Sequence, residues 1–288
     1  MRFGVSGATV PNNIADVTPE VCRQIKEQGF SGVFCRFYHN DPFTTTKEEC
    51  QRARDVFRDN GLELYQVTGY QPCLINLDES LRKEAVRKLQ AALRVAGWVG
   101  ARGIDTGPGS MHPSPRGAWL AHPANWTPAA RRQLIRSLRE CAPAAEDAGV
   151  YLSLENQVTV TTRSPEIARD VLDAVDSRWV TCDLDCANWI TLDNVFETGK
   201  AIDHMFDVLG DHIISGHAKE VVMEERHSIH IGWGALGTGY LDFKTYLRRM
   251  EVLNPSFPLI VEGVGPQDIP AAAAFLHATA SDLGIKVV

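Results

Sequence analysis

Eight short runs rich in Val, Ile, Leu, Tyr and Phe recur along the chain, each punctuated by Gly or Pro. They are "RFGVS" (2–6), "GVFCRF" (32–37), "LELYQVT" (62–68), "ARGIDTG" (101–107), "VYLSLEN" (150–156), "WVTCDLD" (179–185), "HIISGHA" (212–218) and "PLIVEG" (258–263). Nearly continuous apolar runs of this length are what parallel strands buried on both faces require. Spread over 288 residues, eight units have a mean length of 36. That rhythm predicts strand and helix in alternation, closing into a single α/β domain over residues 1–288, a (β/α)8 barrel. An open doubly wound sheet would carry a Gly-rich phosphate turn after the first strand, and "VSGATVPNN" is not one.

The intervening helical stretches have their own punctuation. Residues 46–59 end at Asn60-Gly61, and residues 79–98 carry Leu81, Ala85, Leu89, Leu93 and Ala96 on one stripe. Thr127-Pro128 and Ser164-Pro165 are N-cap and first-turn pairs that open helices over 127–147 and 165–175. Helices are also predicted over 242–250 and 269–283. Residues 107–126 have no periodicity and read as a long loop over the barrel mouth.

Composition narrows the function classes. A net charge of −7 is the wrong sign for a nucleic-acid surface, and no apolar run reaches the ~18 residues of a membrane span. Seven scattered cysteines, an odd number without a C-x-x-C pair, suit reduced thiols. A cytoplasmic protein acting on a small molecule, without nucleic-acid or membrane partners, is the expectation. The sequence leaves self-association, or association with another subunit, open.

Barrels of this kind place their active sites at the C-terminal ends of the strands. The fifth strand ends in Glu155, the sixth in Asp185, the seventh in His217 and the eighth in Glu262, at spacings of 30, 32 and 45 residues. A lone Glu or His at such a place is ordinarily an ion-pair or core residue. Four of them, one per successive unit, form an O3N donor set suited to a divalent ion such as Mn2+, Mg2+, Co2+ or Zn2+. Three carboxylates facing one another also need a cation to compensate them.

Within "VTCDLDCANWI" (180–190), strand alternation puts Asp183 and Asp185 on the interior face and turns Cys182 and Cys186 toward the helices. Asp185, nearer the mouth, is the candidate ligand. Asp183, one layer deeper, requires a buried partner that the sequence does not name. Asp185→Asn is expected to lose the metal, and Asp183→Asn mainly to cost stability. Other residues at the rim include His39 in "RFYHND", Asp105 on the fourth strand and His112 just beyond it, and His227 and His230 in the loop after the seventh. Trp119, Trp126 and Trp233 on the loops are candidates for an apolar wall, or for simple loop packing.

Taken in order, "SLEN" (153–156), "DCAN" (185–188), "GHAKE" (216–220), "LGTGYLDF" (236–243) and "VEG" (261–263) resemble the sugar phosphate isomerase/epimerase family with the xylose-isomerase-like TIM barrel, which belongs to the AP endonuclease family 2 superfamily. The resemblance implies a divalent metal, Mn2+ first, held by Glu155, Asp185, His217 and Glu262. It also implies that Glu155 and Glu262 are the two acid/base groups acting on a ketose or related keto-sugar. Asn188, Lys219, His39 and His227 are the candidate substrate contacts. Asn188 stands where several epimerases have His, and Glu220 where Asp is common. The segment after "GHAKE" lacks the arginine signature of the tagatose/psicose-type enzymes.

Two other activities share this metal and barrel. One is a lyase eliminating a group β to a ketone, for instance from a 3-keto glycoside. The other, an apurinic-site endonuclease, would need further histidines for a multi-metal cluster, yet "YQVTGY" has none.

Overall fold

In the computed structural model, which describes residues 1–288 apart from 69, 71 and 116, eight parallel strands close on themselves. They are β1 (Arg2–Val5), β2 (Gly32–Cys35), β3 (Glu63–Thr68), β4 (Gly103–Thr106), β5 (Tyr151–Glu155), β6 (Val180–Asp185), β7 (Ile213–Ala218) and β10 (Pro258–Val261), and the ring closes where β10 pairs with β1. Two further strands, β8 (Val222–Met223) and β9 (Ile231–Gly232), form a small antiparallel hairpin in the loop after β7.

The helices are α1 (Pro19–Glu27), α2 (Lys47–Asp59), α3 (Glu79–Val99), α4 (Pro128–Ala148), α5 (Pro165–Val175), α6 (Thr198–Leu209), α7 (Phe243–Leu253) and α8 (Ile269–Asp282). Their starts follow from local chemistry. Thr46 and Glu49 make a reciprocal capping box at α2, while Thr127 and Ser164 cap α4 and α5 with Pro in the first turn. The helices α1 and α6 are additions to the predicted set, although α1 opens on Thr18-Pro19, the same cap and first-turn proline as α4. No side chain caps α6, and its second residue is Gly199, where a Cβ would lie 2.7 Å from Asp242 Oδ2. Among the described residues no helix is long and apolar enough to cross a membrane.

Alternation along the strands separates two environments. Leu152, Leu154, Cys182 and Leu184 join the large apolar core beneath the helices, whereas Ser153, Glu155, Thr181, Asp183 and Asp185 are buried polar residues of the opposite face. Two register shifts tune the interior. One lies between β2 and β3 at Val33/Phe34, and the other between β6 and β7 at Cys182/Asp183. The second brings Ser215 opposite Asp183 and His217 opposite Asp185, in phase with the acids of β6. Below the polar residues, Phe34, Tyr65 and Ile260 form a separate apolar plug.

Candidate metal centre and active site

At the mouth, Glu155, Asp185, His217 and Glu262 each offer a ligand atom, and these atoms all lie within 4.8 Å of one another. In barrel order their strands are β5, β6, β7 and β10, so the two glutamates stand at the ends of an arc with Asp185 and His217 between them. His217 Nδ1 lies 3.1 Å from Glu262 Oε2, 3.7 Å from Glu155 Oε1 and 4.0 Å from Asp185 Oδ2. Its other nitrogen is turned away. Nε2 is 2.9 Å from Asp183 Oδ2 and 3.2 Å from Gln66 Oε1.

The buried partner of Asp183 is therefore threefold. His217 meets one carboxylate oxygen, Gln66 Nε2 donates to the same oxygen, and Ser215 Oγ donates to the other at 3.0 Å. This network holds the imidazole ring from below and leaves Nδ1 pointing into the cluster.

The cluster fits a divalent ion on its own chemistry. Asp185 Oδ2, His217 Nδ1 and Glu262 Oε2 are buried, and among the described residues none makes a well-directed hydrogen bond. Such orphaned acceptors are costly unless a cation meets them. One cation reaches them. Lys219 Nζ lies 2.5 Å from Asp185 Oδ2, 2.9 Å from Glu262 Oε2 and 3.9 Å from Glu155 Oε1. The sequence offers Lys219 as a contact to a substrate hydroxyl; here its ammonium engages the carboxylates and the side chain lines the cavity over them.

Charge reorganises the titration of the cluster. Burial works against the charged form of Glu155, but His217 and Lys219 outweigh it and hold this carboxyl down to about 2. Burial likewise opposes protonation of His217, yet the Asp183 carboxylate pushes its imidazole well above the usual range. Asp105, at the end of β4, moves the other way. Burial, and then the negative charges of Glu155 and Asp183, push it well above the carboxylate range. Its Oδ1 is buried with no hydrogen-bond partner among the described residues.

A cavity of about 600 Å3 opens over the cluster, with Glu155, Glu262, Asn188, Lys219 and Asp105 on its inner side. Asn188 Nδ2 donates to Glu155 Oε1 at 2.9 Å and so orients that glutamate. Arg36, which sequence reasoning did not single out, lines the same cavity, pairs with Glu262 and lies over the Phe34 ring. It sits one residue past β2, and 226 residues separate it from Glu262, so only barrel closure reveals the contact.

Two predicted contacts lie elsewhere. His39 is exposed on the loop after β2, and its backbone N–H bonds to the Asn12 carbonyl. His227 is exposed at the tip of the β8–β9 hairpin, where the short strands carry it outward. Glu220 is a backbone clamp, accepting from the N–H groups of Val221, Gly237 and Leu241. The glycines of "LGTG" make this clamp feasible, because a Cβ on Gly239 would fall 2.0 Å from the Val221 carbonyl oxygen.

Fold and donor set together define a parallel barrel with an acidic, histidine-containing centre at its mouth. The chain belongs to the xylose isomerase-like TIM barrel family, whose model matches residues 22–279. No curated protein matches the sequence. Among solved structures it is similar to a xylose isomerase-like TIM barrel protein from Mycobacterium smegmatis in complex with magnesium (20% identity, 94% of this chain and 90% of that one, TM-score 0.70). It is also similar to the apo 3-keto-D-glucoside 4-epimerase of E. coli (20% identity, 98% and 99%, TM-score 0.69). A third similar structure is the D-psicose 3-epimerase of Clostridium cellulolyticum H10 with D-tagatose (16% identity, 98% and 99%, TM-score 0.74). At these identities the likeness is one of fold.

Proposed function

We propose that this protein is a divalent-metal-dependent sugar isomerase or epimerase that moves a proton at the carbon beside a carbonyl. One observation carries the reading. Glu155, Asp185, His217 and Glu262 converge within 4.8 Å, with a glutamate at each end of the arc. A C–H next to a carbonyl is weakly acidic, so its removal requires both a positioned base and stabilisation of the charge that moves onto oxygen. A divalent ion held by the four residues, with Mn2+ the first expectation, would supply that Lewis-acid stabilisation.

The chain's own groups do the rest. One glutamate removes the proton and the other returns one, and their separation along the arc gives them different sides of the substrate. Asn188 fixes the Glu155 carboxylate, and Arg36 fixes Glu262. Asp105 and Lys219 offer polar contacts to substrate hydroxyls. Magnesium in the Mycobacterium smegmatis protein, and the sugar epimerase activities of the other two neighbours, support this reading.

The test is metal analysis of the purified protein followed by incubation with ketoses in D2O. The expected result is one divalent ion per chain and deuterium at the carbon next to the carbonyl. Glu262→Gln should abolish exchange, a loss of about 100-fold or more for a group that transfers the proton. A chain that takes up none of Mn2+, Co2+, Mg2+ or Zn2+ would sink the proposal. Release of an aglycone from a 3-keto glycoside, without exchange in any ketose, would assign the lyase reaction instead.

A further inference from the structure

Lys219 stands one residue past β7 and is only 4% exposed, with its ammonium inside the acidic cluster. A buried ammonium needs counter-charges, and the choice of them is informative. Nζ lies 2.5 Å from Asp185 Oδ2 and 2.9 Å from Glu262 Oε2. Arg36 pairs with Glu262 through the other oxygen, Oε1. Lys219 therefore takes the two carboxylate oxygens that, with His217 Nδ1, offer themselves to a divalent ion. It answers their charge without answering their geometry. With Nζ at these distances, Asp185 Oδ2 and Glu262 Oε2 still have no well-directed hydrogen bond among the described residues.

The rest of the side chain is seated independently of the carboxylates. Its stem runs over Gly263, where a Cβ would lie 3.1 Å from Lys219 Cγ and 3.4 Å from Cδ and Cε. On the cavity side, the ring centre of Trp233, just past β9, is 4.5 Å from Nζ, and both residues line the cavity. An indole face attracts an ammonium through its quadrupole. Rotation at the end of the stem thus has a second seat to reach, over Trp233 and away from the donor atoms.

We propose that Lys219 is a tethered counter-ion that competes with the divalent ion for Asp185 Oδ2 and Glu262 Oε2, and that metal binding releases its ammonium toward Trp233 and the cavity. This rests on the metal reading above and adds to it a competitor built into the chain. Two cations on the same pair of oxygens repel at close range, the more so where water is excluded, so each binds at the other's expense. The lysine then sets metal affinity below what the four donors alone would give. Loading the metal and freeing a cation for substrate oxygens become one coupled event.

The test reads metal binding by the full chain, without substrate. Calorimetric titration with Mn2+ at one pH and ionic strength compares the wild type with Lys219→Met, which keeps the stem and loses the charge, and with Lys219→Arg, which keeps a charge. Lys219→Met is expected to bind Mn2+ about tenfold tighter or more, and Lys219→Arg to stay within about threefold of the wild type. A lysine that only held the site together would give a loss in Lys219→Met, not a gain. Saturating Mg2+ or Zn2+, neither of them paramagnetic, should also change the tryptophan emission of the wild type, and that change should vanish in Trp233→Phe and in Lys219→Met. Equal or weaker Mn2+ binding by Lys219→Met would overturn the inference and leave the metal reading standing. So would a wild-type emission change that survives in Trp233→Phe, or no change at saturation. If Lys219→Met does not fold, Lys219→Gln is read in the same way, and the wild-type emission decides without it. Uptake of no divalent ion by any form would overturn the metal reading and this inference with it.

Discussion

Of the two aspartates in "VTCDLDCANWI", one faces the four-residue cluster at the mouth and the other faces that cluster's histidine. Asp183 is fully buried, and its three contacts, His217, Gln66 and Ser215, orient the imidazole that completes the cluster. Sequence reasoning separates the pair by depth, but Asp183 does more than fill the interior. Because a carboxylate behind a ligand histidine raises its basicity and fixes its tautomer, Asp183→Asn is expected to weaken divalent-ion binding about 10–100-fold. It should also destabilise the fold by about 3 kcal/mol, since it leaves a buried imidazole short of its counter-charge. Calorimetric titration with Mn2+ and urea unfolding would measure the two effects separately. Full metal affinity in Asp183→Asn would remove it from the ligand's support and return it to a purely structural role.

Helices α3 and α4 are joined by a charge network that sequence periodicity does not announce. Arg82, fully buried, donates from Nε and Nη2 to Glu79 and from Nη2 to Glu140, each at 2.9 Å, and from Nη1 to Ser137 Oγ at 3.1 Å. The hydrogen bonds from Arg82 are the main reason that the Glu79 carboxyl is held down to about 2. A carboxyl whose pKa falls on folding contributes stability that is complete above its unfolded value and lost as pH falls through the folded one. Here that window runs from about 4.5 down to about 2. Urea unfolding should find Glu79→Gln less stable than the wild type at neutral pH, with the gap closing across that window. A gap unchanged at pH 2 would mean that the network's contribution is not carried by the Glu79 charge.

What was legible among the elements follows from the same physics. The eight barrel strands announce themselves because burial on both faces demands apolar runs, α2 because Asn60-Gly61 stops it, and α4 and α5 because a Thr-Pro or Ser-Pro pair opens them; Thr18-Pro19 opens α1 in the same way, and sequence reading passed over it. The helix α6, uncapped and opening on Thr-Gly, gives no such sign, and two-residue strands like β8 and β9 are too short for any period to show. The donor set was legible as well, since each member sits at or just past a strand's C-terminal end. Arg36 and Gln66 were not, because their partners lie 226 and 117 residues away and meet them only once the barrel closes.

Closure also decides how the whole molecule should respond to a metal. Glu155, Asp185, His217 and Glu262 are spread over more than 100 residues of sequence and come within 4.8 Å only in the folded chain. The unfolded chain therefore has no comparable site, so an ion that binds here stabilises the native state by mass action alone. Held at a thousandfold excess over its dissociation constant, it adds about 4 kcal/mol. For a chain of this size each kcal/mol moves the midpoint by about 2 °C, so the melting temperature should rise by roughly 8 °C. Asp185→Asn removes one donor and one negative charge while Lys219 remains, and it should melt at one temperature with or without the ion. Calorimetric scans with Mn2+, with EDTA and with the variant would measure all of this. A wild-type midpoint indifferent to both additions would mean that the acidic centre is compensated by Lys219 and the neighbouring cations alone.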